Sequence, residues 1–187
     1  MAYPVGAAGS KLTDSKYGFS FSIPPGWQKI PLTGGDISGL LDLLTKSDPT
    51  MKGALTNEVK QAAKQGIKDF AFGPISHNFA SNINVIVEAA SGPSSGSSYF
   101  DQAGVEVKIS LTGFGMTNVK TSTVDLPFGK ELQATYSLPK TLAPQWAYGL
   151  QLYLRHKLHL YIVTFSSSTL SRDRSTALQA ERSWRWS

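Results

Sequence analysis

Three histidines, no cysteine and a late run of arginines are the residues of this chain best suited to chemistry. The lack of cysteine removes thiol nucleophiles, disulfides and thiolate metal sites together. His77 sits in a loop of its own, with no Asp or Glu within three residues. His156 and His159 lie three apart at a predicted hairpin, and an odd separation along a strand sets side chains on opposite faces. A metal ion also wants a third ligand. The spacing therefore predicts no metal set, with His77 a hydrogen-bonded loop residue and His156 a turn residue in solvent.

Nucleophilic catalysis would call for Ser, His and an acid around a Gly-x-Ser-x-Gly elbow. The loop Gly92-Pro93-Ser94-Ser95-Gly96 is read here as off the geometry such an elbow needs, and Ser166-Ser167-Ser168-Thr169 as helix-capping hydroxyls. A hydrolase would have to bring a serine together with His77 or His159. The loop Ser91 to Ser98 runs from a strand into a helix, which suits phosphate in principle. It has no lysine and no Gly-x-Gly-x-x-Gly spacing, so neither nucleotide fingerprint is met. No two acidic residues are adjacent. The expectation is a protein without catalytic residues, cofactor or metal.

Charge is more informative. The formal net charge is +5, and all five arginines lie at or beyond position 155. Arg155, Lys157, Arg172, Arg174, Arg182 and Arg185 stand against Asp173 and Glu181, leaving +4 of the +5 in the last sixth of the chain. Solvated faces explain many such runs. The functional reading is an acidic partner, such as a protein patch, anionic lipid or another polyanion, met by Arg155, Lys157, Arg174, Arg182 and Arg185. Arg182-Ser183-Trp184-Arg185-Trp186 interleaves basic and aromatic residues, but one terminal segment is too little to predict nucleic-acid binding. Of the four tryptophans, Trp27 and Trp184 are expected in the core. Trp186 and Trp146 are better placed for exposure, and Trp146 is the candidate contact for an apolar or saccharide ligand in a pocket.

The elements that must position these residues follow from periodicity. Phe19, Phe21 and Ile23 alternate with Ser20 and Ser22 until Pro24-Pro25-Gly26 stops the strand, and Trp27 follows. Asp36 and Asp48-Pro49 start two amphipathic helices, the second stopping near Gly66. Strands follow at 67–75, ended by Gly73-Pro74, and at 82–90, where Ile83, Val85 and Val87 alternate with Asn84, Ile86 and Glu88. A helix begins near Ser98 and carries Phe100, Gly104, Val107 and Leu111 on one face. Two hairpins come next, turning at Pro127-Phe128-Gly129-Lys130 and at Arg155-His156-Lys157. The second is expected to point Tyr148, Leu150, Leu152, Leu154, Leu158, Leu160 and Ile162 inward. A last helix runs to about Trp184, with Arg174, Arg182 and Arg185 on one flank. Hairpins dominate, so an antiparallel sheet flanked by helices is predicted.

With 187 residues, 41% of them hydrophobic and 17% charged, the chain suits one α+β domain over 16–187 behind a flexible leader, 1–15. No apolar run is long enough for a membrane helix. The first residues lack the basic and apolar regions of a signal peptide. The sequence as given is expected in the cytoplasm, or exported or lipid-anchored if a leader has been removed.

The order of elements, the strand Phe19-Ser20-Phe21-Ser22-Ile23-Pro24-Pro25-Gly26-Trp27, the late strand Tyr161-Ile162-Val163-Thr164-Phe165-Ser166 and the closing Ser183-Trp184 together resemble the PsbP-like/Mog-like superfamily. Asp69-Phe70-Ala71-Phe72-Gly73-Pro74 with Asn82-Ile83-Asn84-Val85-Ile86-Val87 is similar to LpqN-type and uncharacterised actinobacterial members. The resemblance covers about Lys16 to Trp186. It implies a three-layer α/β/α sandwich on a central, mostly antiparallel sheet of about six or seven strands. It also implies binding or scaffolding in place of catalysis, and it transfers no binding residue to a matched position. The lipobox cysteine of the lipoprotein members is missing.

Overall fold

The computed structural model describes residues 10–31, 67–76, 79–90, 97–140, 147–168 and 183–186. Its strands are β1 (Lys11–Asp14), β2 (Phe19–Ser22), β3 (Gln28–Pro31), β4 (Ile67–Ser76), β5 (Phe79–Ala89), β6 (Thr117–Leu126), β7 (Gly129–Ser137), β8 (Tyr148–His156), β9 (His159–Ser167) and β10 (Arg185–Trp186). A helix, α1 (Ser97–Gly113), lies between β5 and β6. Seven strands form an antiparallel sheet in the order β3-β4-β5-β9-β8-β7-β6, and β1-β2-β10 form a second. Each hairpin lays consecutive strands side by side, which is why turn-rich sequence gives antiparallel neighbours.

Alternation decides where the core lies. Ile83 and Val85 of β5 stand opposite Phe165 and Val163 of β9, which in turn face Leu150 and Leu152 of β8. These residues line one face of the large sheet, and the three-stranded sheet covers it with Leu12, Phe19, Phe21 and Ile23. Trp184 lies flat on both phenylalanines, at 4.8 Å from Phe19 and 5.1 Å from Phe21. Burying an aliphatic or aromatic side chain of this size contributes about 1.5–3 kcal/mol. At the β3–β4 margin Lys29 holds Asp69 through a 2.9 Å ion pair. Burial still pushes the Asp69 carboxyl above its ordinary range, with Lys29 opposing the shift and Asp14 adding to it.

The other face carries α1. Gly104 rests on Thr121 and Leu132, and Leu111 packs with Ala134 and Tyr136. The helix stops where Gly115, at φ 82°, donates to the Thr112 carbonyl and Met116 donates to that of Leu111. This double bond pattern satisfies the last carbonyls and needs a left-handed residue, which glycine supplies without strain.

Several expectations change. Among the described residues the layer opposite α1 is a sheet and no second helical layer is seen; the helices expected near Asp36, after Asp48 and before Trp184 lie outside those residues, Ser183 and Trp184 excepted. Lys11–Asp14, expected in a flexible leader, pair with β2 and bury Leu12. Strand β4 does not end at Gly73-Pro74; it passes through them with a register shift. A proline is tolerated at such an irregularity. The glycine is needed because the Trp27 ring occupies the space, 2.5 Å from where a Cβ would stand. In the β8–β9 hairpin Leu150, Leu152 and Leu154 point inward as expected. Their partners are Phe165, Val163 and Tyr161, so Leu160 and Ile162 take the other face. Leu158 is in the turn and 77% exposed.

Candidate interaction surface

The β8–β9 hairpin turns through only Lys157 and Leu158, with His156 directly opposite His159. Lys157 adopts φ 52°, in the left-handed region where an L side chain costs about 1–2 kcal/mol. The Leu158 carbonyl accepts the Ala90 N–H at 2.8 Å, so the tip is fastened to the end of β5.

Strand β10 reaches the same end of the molecule because Arg185 and Trp186 pair with Ser20 and Phe19 of β2. The Trp186 indole then stacks on the His156 imidazole, 4.3 Å between centroids and 8° between planes. Phe128, from the β6–β7 turn, meets that indole edge-on at 5.5 Å. Tyr161 lies 4.9 Å from it. Tyr17 completes the group, edge-on to His159 at 6.0 Å, and its carbonyl accepts the Tyr161 hydroxyl at 2.7 Å. Lys16 sits with its ammonium 5.3 Å from the Tyr17 ring. The result is an aromatic cluster with Lys16 and Lys157 at its margin, while Arg185 of β10, between the two indoles in sequence, donates to the Trp184 carbonyl at 2.7 Å. Burial, then the charge of Lys157, holds His156 below the usual imidazole range.

The predicted basic group is thus divided. Lys157 and Arg185 share this end. Arg155, one register step earlier, turns to the helix side, where its guanidinium lies 5.8 Å from the Tyr99 ring of α1. Its backbone N–H donates to Glu131 Oε2 at 3.3 Å. Burial pushes the Glu131 carboxyl up to about 7, against that hydrogen bond and the Arg155 charge. Arg185 belongs to a strand, so the helical flank expected to join it to Arg174 and Arg182 does not extend to it. Arg174, Arg182, Trp146 and His77 lie outside the described residues.

His156 and His159 are not on opposite faces. Parity along a strand does not apply across a two-residue turn, where residues three apart become cross-strand partners on one face. His156 is half-buried under Trp186 rather than in open solvent. Trp186, also expected to be exposed, is half-buried by the same stack. Gly92-Pro93-Ser94-Ser95-Gly96 does satisfy Gly-x-Ser-x-Gly in its letters. A nucleophile elbow, however, is a sharp strand-to-helix turn. Here β5 ends at Ala89 and α1 begins at Ser97, and Gly92 to Gly96 lie outside the described residues. Among the described residues no group of three His, Asp or Glu could hold a metal ion. Sequence reasoning missed Glu131 and the Trp186–His156 stack; the spacing of two residues between the histidines was the available signal.

No family model matches the sequence, and no curated protein sequence matches it. In three dimensions the chain is similar to cyanobacterial PsbP (CyanoP) from Synechocystis sp. PCC 6803, with a TM-score of 0.54 and 12% identity, covering 100% of this chain and 98% of that one. A looser likeness, TM-score 0.48 and 11% identity, links it to LpqN of Mycobacterium tuberculosis, described as involved in cell envelope biogenesis, over 96% of this chain and 86% of that one. At these identities the kinship is one of architecture: the chain has a PsbP-like fold.

Proposed function

We propose that this chain is a non-catalytic binding or scaffold protein of the PsbP, Mog and LpqN kind. It engages an acidic protein partner through the hairpin end where Lys157, Trp186 and Arg185 meet. The observation that supports this most is the Trp186–His156 stack, because it ties β10, with Arg185, to the hairpin that carries Lys157 and gathers aromatic contact area there. Aromatic side chains supply contact area at low entropic cost, and rim charges steer and orient the encounter.

Native mass spectrometry of the protein isolated from its own source tests the reading. The expected result is a heteromeric mass that weakens as salt rises from about 50 to about 500 mM, where charges are screened within a few ångströms. The double substitution Lys157→Glu with Arg185→Glu should abolish it while leaving stability within about 0.5 kcal/mol, since both side chains are exposed. A heteromer that survives both treatments overturns the proposal.

A further inference from the structure

Two carboxyls meet where the three-stranded sheet rests on the margin of the large one. Asp69, on β4, is only 4% exposed. Its Oδ1 takes the Lys29 ammonium at 2.9 Å, while Oδ2 is buried and meets no donor among the described residues. The Asp14 side chain, at the end of β1, lies within hydrogen-bonding reach of Asp69. Lys29 spans the same gap, its ammonium 3.5 Å from the Thr13 carbonyl. Val85 of β5 stands opposite Asp69 and adds no charge. One ammonium therefore faces two carboxyls. With both ionised, the niche would hold an unbalanced negative charge away from water, which is costly. A single proton between them removes that charge and turns the contact of the two carboxyls into a hydrogen bond.

Asp14 connects this pair to the hairpin end. Its Oδ1 accepts the backbone N–H of Lys16 at 2.9 Å and that of Tyr17 at 3.1 Å, closing the turn between β1 and β2. That turn supplies one side of the aromatic cluster. The Tyr17 ring lies edge-on to His159, its carbonyl takes the Tyr161 hydroxyl, and Lys16 stands over the ring. Burial, then the charge of Asp14, holds the Tyr161 hydroxyl above its ordinary range. The titratable groups about the pair are thus Lys29 on β3, Lys16 and Tyr17 in the turn, and Tyr161 on β9. Strand β2 brings Phe19 opposite Asp14.

We infer, on the reading of that end as the binding surface, that a proton shared by Asp14 and Asp69 regulates it, seating the Lys16-Tyr17 turn when held and loosening it when released to solvent. The sign follows from the niche. Burial, with Asp14 adding to it and Lys29 opposing, raises the Asp69 carboxyl above its ordinary range, so the folded chain keeps its proton to a higher pH than the unfolded chain. The seated turn is fully present in acid and is lost as pH rises through the folded value of Asp69. Partner binding follows it, tighter in acid and weaker in alkali.

Amide exchange of the full chain from about pH 4 to about pH 9, each amide corrected for its intrinsic rate, reports the turn directly. Protection of the Lys16 and Tyr17 N–H groups should fall about tenfold or more across that range, the equivalent of one pKa unit or more. Asp69→Asn and Asp14→Asn should each hold the protection level, because the new amide donates to the remaining carboxyl at every pH. Asparagine at 14 also still accepts the two turn N–H groups. These variants separate the response from that of His156 and Glu131. Native mass spectrometry of the heteromer at both ends of the range is the second readout: the parent complex should weaken in alkali and neither variant complex should. A turn indifferent to pH overturns the inference and leaves the surface reading standing. So does a response that survives in Asp14→Asn, since Asp69 then titrates without its neighbour, or a heteromer indifferent to pH while the turn opens. No heteromer at any pH sinks the surface reading and its regulation together.

Discussion

The two faces of the large sheet are built on different principles. The face under β1-β2-β10 is a continuous apolar and aromatic surface, with Phe19, Phe21, Tyr161 and Trp184 fitted ring to ring. The face toward α1 interrupts its apolar residues with a polar band. There Tyr153 donates to Gln151 at 2.6 Å, Gln151 donates to Thr164 at 3.1 Å, and Thr164 and Ser166 are buried. The first face is held by area removed from water. The second depends more on satisfied hydrogen bonds and close backbone approach, since an unpaired buried polar group costs about 1–3 kcal/mol.

If that contrast is right, the greatest damage comes from the ring cluster. Trp184→Ala should cost about 3–5 kcal/mol in urea unfolding, because the surrounding rings cannot close a cavity of that size. A loss below about 1 kcal/mol would mean the stack contributes little.

The apolar face carries two buried carboxyls, Asp69, which is paired with Lys29, and Glu131, which stands opposite Val124. The Glu131 pKa rises from 4.5 to about 7 on folding. The folded chain therefore holds a proton that the unfolded chain releases, and the associated stability is present at acid pH and lost as pH climbs from about 4.5 to about 7. The full change is roughly 3 kcal/mol. Glu131→Gln should remove this share of the pH dependence and leave that of Asp69, with the variant matching the parent near pH 4 and exceeding it near pH 8. Parallel pH profiles would show the carboxyl to be ionised and paired throughout.

On the helix side the sensitive point is a glycine. Gly149 has the Tyr136 ring where its Cβ would stand. Gly149→Ala should cost about 1–3 kcal/mol by overpacking. Combining it with Tyr136→Ala should make the two costs non-additive, since they share one contact. Strict additivity would place the collision elsewhere.

Much of the sheet was legible because its strands alternate. Ile83 and Val85, the Phe19–Phe21 pair and the Gly113-Phe114-Gly115 helix stop all behave as their spacing says. Short strands were not: Lys11–Asp14 and Arg185–Trp186 have too few residues for a periodic signal, and only pairing with β2 makes them strands. Register failed at one turn. Taking Arg155-His156-Lys157 as the turn placed Leu160 and Ile162 inward, whereas turning at Lys157-Leu158 reverses every side chain of β9. The charge run was visible, but its division was not, because nothing in the sequence says that Arg155 meets the Tyr99 ring of α1 while Lys157 sits in the hairpin turn. The expected pocket contact Trp146 and the arginines Arg174 and Arg182 lie outside the described residues.

The two indoles at the C-terminus have a further consequence. Trp184 and Trp186 stand 5.4 Å apart at 72°, close and oblique enough for their electronic transitions to couple. Such a pair gives rise to an exciton band in circular dichroism that neither ring produces alone. Because Trp184 is anchored on Phe19 and Trp186 on His156, the band is a built-in optical gauge of whether the chain's last strand is seated.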